Sequence, residues 1–86
     1  MDFLHKNFFL KDTQTVEVMC SHQCNLLLLD DINFQYYKNG RKFSYYGGFY
    51  KQFPARLTPP FDGEWNVVLD IAGGSGTIEY SINVLN

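Results

Sequence analysis

Cys20, His22 and Cys24 alternate along the chain, and on one straight strand all three would share a face, because successive strand side chains point to opposite sides. Two thiolates and an imidazole so placed could begin a zinc site. A closed structural site takes four ligands, the only other imidazole is His5, and the chain holds no second Cys pair. The expectation is no bound metal. The cysteines could pair as a disulfide in an oxidising compartment, but without an export signal the reading is two reduced thiols, one of them buried. Oxygen donors gather at Asp30, Asp31 and Asn33. A calcium loop of the EF-hand type would end in a bidentate Glu, which is missing. Adjacent carboxylates on a strand also face opposite ways and cannot work as an acid and base pair without a bend. Asp30 and Asp31 therefore read as a capped strand end, and Asp31 and Asn33 are kept as candidate ligand contacts. No nucleophile meets a base: there is no G-x-S-x-G elbow, and neither Cys has a helix start to lower its pKa. The expectation is no catalysis and no cofactor; a small hydrolase-like or metal-dependent enzyme using His22, Cys20, Cys24 and the aspartates is the alternative.

The richest segment for recognition runs from Phe34 to Phe53 and carries Tyr36, Tyr37, Phe43, Tyr45, Tyr46, Phe49 and Tyr50 among Lys38, Arg41, Lys42 and Lys51. Tyr and Arg are enriched at binding hot spots because each joins a large contact area to a polar tip. If Phe43 and Tyr45 face the core, Tyr46 points outward beside Gly47 and Gly48, where missing side chains would let a ligand approach the backbone. The competing reading has the tyrosines walling the core and the glycines forming a bulge. Tyr37, Arg41, Tyr46, Gly47 and Gly48 are the candidate contacts for an unknown protein or small-molecule ligand.

Charge narrows the partners. Seven Lys plus Arg stand against nine Asp plus Glu, for a net charge of -2, and the cations are scattered. Phosphate backbones need clustered Lys and Arg, so nucleic acid is not an expected partner. Leu26 to Leu29 is the longest aliphatic run, far short of the roughly 20 residues a spanning helix needs, so no membrane partner is expected. Asp2 and His5 sit where a signal peptide would be basic, and no apolar stretch follows, which predicts a cytoplasmic location.

These residues must be positioned by a chain of 86 residues, 45% hydrophobic and 17% aromatic, enough for one core and one domain over 1–86. Period-two alternation predicts its elements. Val16, Val18 and Cys20 form one face of a strand over Thr15 to Cys20, and Cys24 to Asp30 reads as a strand buried on both faces. Ala55 to Thr58 is a short strand ended by Pro59 and Pro60. Trp65, Val67, Leu69 and Ile71 are the inward set of one strand, and Ile78, Tyr80, Ile82 and Val84 that of the next. These two are expected to pair as a hairpin through Ala72-Gly73-Gly74-Ser75-Gly76, since a phosphate-cradling loop would need a helix after it. Pro60-Phe61-Asp62-Gly63 is expected as a turn, with Asp62 capping its own backbone and Gly63 left-handed. Asn39-Gly40 suggests a type I′ reversal between Gln35 to Lys38 and Arg41 to Tyr45, a short helical excursion from Asp31 to Gly40 being the alternative. The fold class expected is all-β, a compact two-layer β-sandwich or flattened barrel of short, mainly antiparallel strands.

The series Ser21-His22-Gln23-Cys24-Asn25, Leu29-Asp30-Asp31-Ile32-Asn33-Phe34, Tyr37, Gly40-Arg41 and Tyr45-Tyr46-Gly47-Gly48, continued by Pro54-Ala55-Arg56-Leu57-Thr58, Gly63-Glu64-Trp65-Asn66-Val67-Val68, Asp70, Gly73 and Gly76, resembles the bacterial family called domain of unknown function 1883. It does so from about Met1 to Leu85, departing at Cys24, Phe61, Asp62 and Ala72. The resemblance implies an all-β module, stand-alone or joined to a TIR-type signalling domain, and no established reaction. The function expected is a non-catalytic binding or sensing module. An exposed edge or aromatic patch also leaves open a homo-oligomerisation domain and a homodimer.

Overall fold

A computed structural model describes residues 3–71 and 78–86. Seven strands and one helix follow in the order β1 (Phe3–Leu10), β2 (Thr15–Cys20), β3 (Cys24–Asp30), α1 (Asp31–Lys38), β4 (Tyr46–Tyr50), β5 (Ala55–Leu57), β6 (Gly63–Asp70) and β7 (Tyr80–Leu85). They form two open antiparallel sheets, β1-β6-β3-β4 and β5-β2-β7, so the architecture is a sandwich and not a closed barrel.

Between the sheets lies one apolar cluster. Leu10, Leu26, Leu28, Trp65, Val67 and Leu69 come from the larger sheet, and Val16, Val18, Ala55, Leu57 and Ile82 from the smaller. The alternation read from β2, β3 and β6 places these side chains correctly. β6 is central in its sheet and buried on both faces, because the helix covers its other side: Val68 joins Leu27, Leu29, Phe34 and Tyr37 in a second cluster.

The expected hairpin between the last two strands does not form. β6 pairs with β1 and β3, whereas β7 lies in the opposite sheet and pairs with β2, Val16 to Val84 and Val18 to Ile82. Both strands turn apolar residues to the same core from opposite sides, Ile82 and Val84 from β7, while Tyr80, expected inward, is exposed; alternation alone cannot distinguish a neighbour within a sheet from one across a sandwich. The glycine-rich segment expected to join them lies outside the described residues.

The type I′ hairpin at Asn39-Gly40 is also replaced, by the helical alternative. Asp30 is the N-cap, its carboxylate accepting from the Asn33 amide at 2.8 Å. At the other end Gly40 adopts φ +69°, the Gly40 amide donates to Tyr37 O (3.3 Å) and the Arg41 amide to Tyr36 O (2.9 Å). That bond pair is a Schellman stop, which demands the same left-handed glycine as a hairpin would, hence the ambiguity of the Asn-Gly signal. Eight residues are too few for 3.6-residue periodicity to stand out. In the turn before β6, Gly63 is not left-handed but pairs with Leu10, and Asp62 accepts from the Asp12 amide (2.8 Å) instead of capping its own backbone.

β1 escaped the sequence reading because its inward series, Leu4, Lys6, Phe8 and Leu10, is broken by a lysine. Lys6 is opposite Val67 but exposed, a charge on the core side of an edge strand that discourages further pairing.

Candidate functional site

The structure divides the seven candidate residues between the two ends of the helix. At its start, the bend from strand to helix separates the adjacent aspartates. Asp30 caps, and Asn33 Nδ2 also donates to it (3.0 Å), while Asn33 Oδ1 accepts from the Ser44 backbone amide (2.8 Å) and pulls the segment after the helix back to its first turn. Asn33 is thus committed to the scaffold. Asp31 turns to β6, where its carboxylate accepts from Asn66 Nδ2 at 2.8 Å.

Asn66, 2% exposed, is the hub of this end. Its nitrogen also donates to Leu29 O (3.3 Å), and its oxygen meets His5 Nε2 (2.8 Å) and Asn7 Nδ2 (3.1 Å). A carboxylate and a carbonyl can only accept, so the Asn66 nitrogen must face Asp31 and Leu29 and its oxygen must face His5. His5 therefore donates through Nε2. The ring is stacked on Phe34 at 4.1 Å. All four hydrogen-bonding positions of a buried amide are filled, as burial requires. Asn66 was not anticipated as a structural hub; the signal was there, since a lone polar residue inside Trp65-Asn66-Val67-Val68-Leu69 has to find partners if both faces of that strand are covered.

At the helix end, Tyr37 is 4% exposed, wedged edge-on against Phe3 and Phe43, and its hydroxyl donates to Asp70 Oδ2 at 2.7 Å. Burial, then the hydrogen bond to Asp70 and its negative charge, hold this phenol well above the ordinary tyrosine pKa. Its place is in the core, with no surface for a ligand. Arg41 is exposed and lies over the Tyr36 ring, 5.2 Å from its centroid.

Tyr46 returns to the other end. It pairs with Leu28, whose side chain faces the inner core, so Tyr46 shares the inner register and does not point away from the sandwich. It nevertheless keeps 50% exposure, because it stands at the rim with its ring edge-on to Trp65 at 6.0 Å. Phe43, by contrast, packs against the outer cluster under the helix, and Tyr45 is exposed. Gly47, at φ +125°, approaches β3 so closely that a Cβ would land on the Leu26 carbonyl, which makes it a packing requirement. A Cβ at Gly48 would meet only open space.

Phe61, unmarked in the sequence reading as a contact, completes the rim. Its ring is 51% exposed and 4.9 Å from Trp65, whose indole nitrogen donates to the Phe61 carbonyl at 3.1 Å. Trp65 itself is 1% exposed. Tyr46 and Phe61 thus flank a buried indole and leave an aromatic surface at the sandwich end that also carries Asp31. Arg41, on the far side of the helix, is not part of it. His22 sits on an exposed turn with Nδ1 2.8 Å from Ser21 Oγ, and Cys20 and Cys24 are free thiols. Among the described residues no three or more His, Cys, Asp or Glu side chains converge on one point, and no helix is long and apolar enough to cross a membrane.

No curated protein and no solved structure matches the chain. One family model does, over residues 1–86, and with the small all-β fold already described it places the chain in the family designated domain of unknown function (DUF1883).

Proposed function

We propose that the chain is a non-catalytic recognition module whose contact surface is the aromatic rim formed by Tyr46 and Phe61 around Trp65. The observation that carries this reading is the rim itself: two rings, each about half exposed, held against a buried indole whose only donor is already used. Such rings are preorganised, so little side-chain freedom is lost when a flat or apolar ligand face settles on them. The hydrogen bonds already made by the candidate polar groups, at both ends of the sandwich, support binding over turnover. His5 and Asp31 are both tied to the Asn66 amide, and the serine next to His22 already accepts from the Glu79 amide (3.0 Å). The resemblance carried by the sequence extends the proposal to a sensing role beside a TIR-type signalling domain in the bacterial cytoplasm.

Trp65 is the single tryptophan, so its emission reports on the rim. Titration with a panel of oligosaccharides, nucleotides and aromatic peptides is expected to give a saturable change for one class. The change should vanish in the double variant Tyr46→Ala, Phe61→Ala, which should remain folded because each ring is only half covered. A compound that binds wild type and this variant with equal affinity places the site elsewhere. Turnover of any compound in the panel overturns the non-catalytic reading.

A further inference from the structure

We propose that Cys20 and Cys24 form an oxidisable dithiol site that reduces a small-molecule disulfide and, in doing so, joins the two sheets covalently at one end of the sandwich. The two residues end β2 and begin β3, strands that belong to different sheets. Both face the interior: Cys20 continues the inward series of Val16 and Val18, Cys24 begins that of Leu26 and Leu28, and Cys20 packs against the cluster that contains Cys24. The turn between them is fixed in place, since the Ser21 amide donates to Glu79 O (2.8 Å) and Ser21 Oγ accepts from the Glu79 amide.

Access differs between the two thiols, and that difference assigns their roles. Cys24 is 2% exposed. Cys20 is half-buried and lines an open depression of about 350 Å³ together with Met19, Ser21, Glu79, Tyr80 and Ser81. Burial pushes the Cys24 thiol up to about 12, with the adjacent Cys20 and then Asp70 adding to the effect. Cys24 thus stays protonated and closed to reagents from solution until Cys20 beside it has reacted.

The chemistry follows thiol–disulfide exchange. Cys20, having lost its proton, attacks one sulfur of glutathione disulfide; the S–S bond breaks, one glutathione thiolate leaves and takes up that proton, and a mixed disulfide remains on Cys20. Cys24 then gives up its proton and attacks the Cys20 sulfur, expelling the second glutathione thiolate, which is protonated in turn. Two protein thiols are oxidised and one glutathione disulfide is reduced to two thiols.

The test uses the reduced, folded protein, incubated with glutathione disulfide in metal-free buffer, quenched with an alkylating reagent and weighed intact. Wild type is expected to lose two hydrogens and resist alkylation, with peptide mapping locating the bridge between Cys20 and Cys24 and circular dichroism unchanged. Cys24→Ser should stop at a single glutathione adduct on Cys20. Cys20→Ser should react at least about tenfold more slowly, because only the buried thiol remains. Two results overturn the proposal: wild type that stops at the glutathione adduct, or a Cys20→Ser variant modified as fast as Cys24→Ser. If Cys24→Ser does not fold, the wild-type mass and peptide map decide alone.

Discussion

The two faces of β6 are covered by different means. Toward the smaller sheet, Trp65, Val67 and Leu69 pack into the apolar cluster, and the one polar atom among their side chains, the indole nitrogen, donates to the Phe61 carbonyl. Toward the helix, Val68 has apolar company, but Asn66 and Asp70 each hold the helix by a polar bond: Asn66 binds Asp31 in the first turn and Asp70 binds Tyr37 in the last. The inner face depends on area, which is non-directional. The outer face has less area to use, and an eight-residue helix is not stable in water by itself. Two hydrogen bonds from one strand to the two ends of the helix therefore fix its orientation. A strand buried on both sides can serve as a greasy wall on one and a pair of pegs on the other, and the residue types alternate accordingly.

The largest test of this contrast is Trp65→Ala. Removing a fully buried indole from the inner face should cost about 3 to 5 kcal/mol, against a total of roughly 0.05 to 0.15 kcal/mol per residue, so the variant should be largely unfolded in chemical denaturation experiments. Loss of the sandwich core without loss of stability would mean that the two faces are exchanged.

Asn66→Ala comes next. A strand-face reading that sets Asn66 opposite Trp65 as an outward residue expects a mild effect, but its four partners and near-complete burial predict a loss of about 1 to 3 kcal/mol. The loss should appear first as faster amide exchange in the helix, ahead of the strands. Equal exchange rates in helix and strands would remove the distinction between pegs and wall.

The smallest effect is expected for Tyr37→Phe, about 1.5 kcal/mol for a hydrogen bond to a carboxylate, with a pH signature. Tyr37 is raised in the folded protein above its ordinary value of 10.0. Above about pH 10 the unfolded chain gives up this proton first, so the stability Tyr37 supplies is complete below that pH and is lost as pH rises through the folded value. The buried Cys24 thiol, raised from 9.0 to about 12, acts in the same direction and in both proteins. The gap in stability between wild type and Tyr37→Phe should therefore narrow as urea titrations are repeated from pH 9 upward, and a gap that widens would show that Tyr37 is ionised in the fold.

Much of the wall was legible in the sequence. The alternating sets of β2, β3 and β6 name most of the inner core, because a half-buried strand writes its burial directly into residue order. The pegs were less so. Asp31, Asn33 and Tyr37 stood out as polar or aromatic residues and were read as candidate contacts, but their partners, Asn66, Ser44 and Asp70, are distant in sequence or reached only through the fold. Arg41 and Tyr46 are near in the chain yet belong to opposite ends of the helix, a separation that follows once Gln35 to Lys38 coil instead of extending. The rim depended on Phe61, whose exposure is set by a turn that local composition described only in outline.

The central position of β6 has a consequence for biosynthesis. It binds β1 in a register that matches Phe3 with Asp70, and it also separates β1 from β3. A nascent chain leaving the ribosome can pair β3 with β4, which ends at Tyr50, before Gly63 to Asp70 emerges, but β1 has no partner until then. Closure of the larger sheet is a late insertion of one strand between two that have been waiting, a long-range step of the kind that slows folding. During that interval the lysine at position 6 guards the idle strand against pairing with another chain.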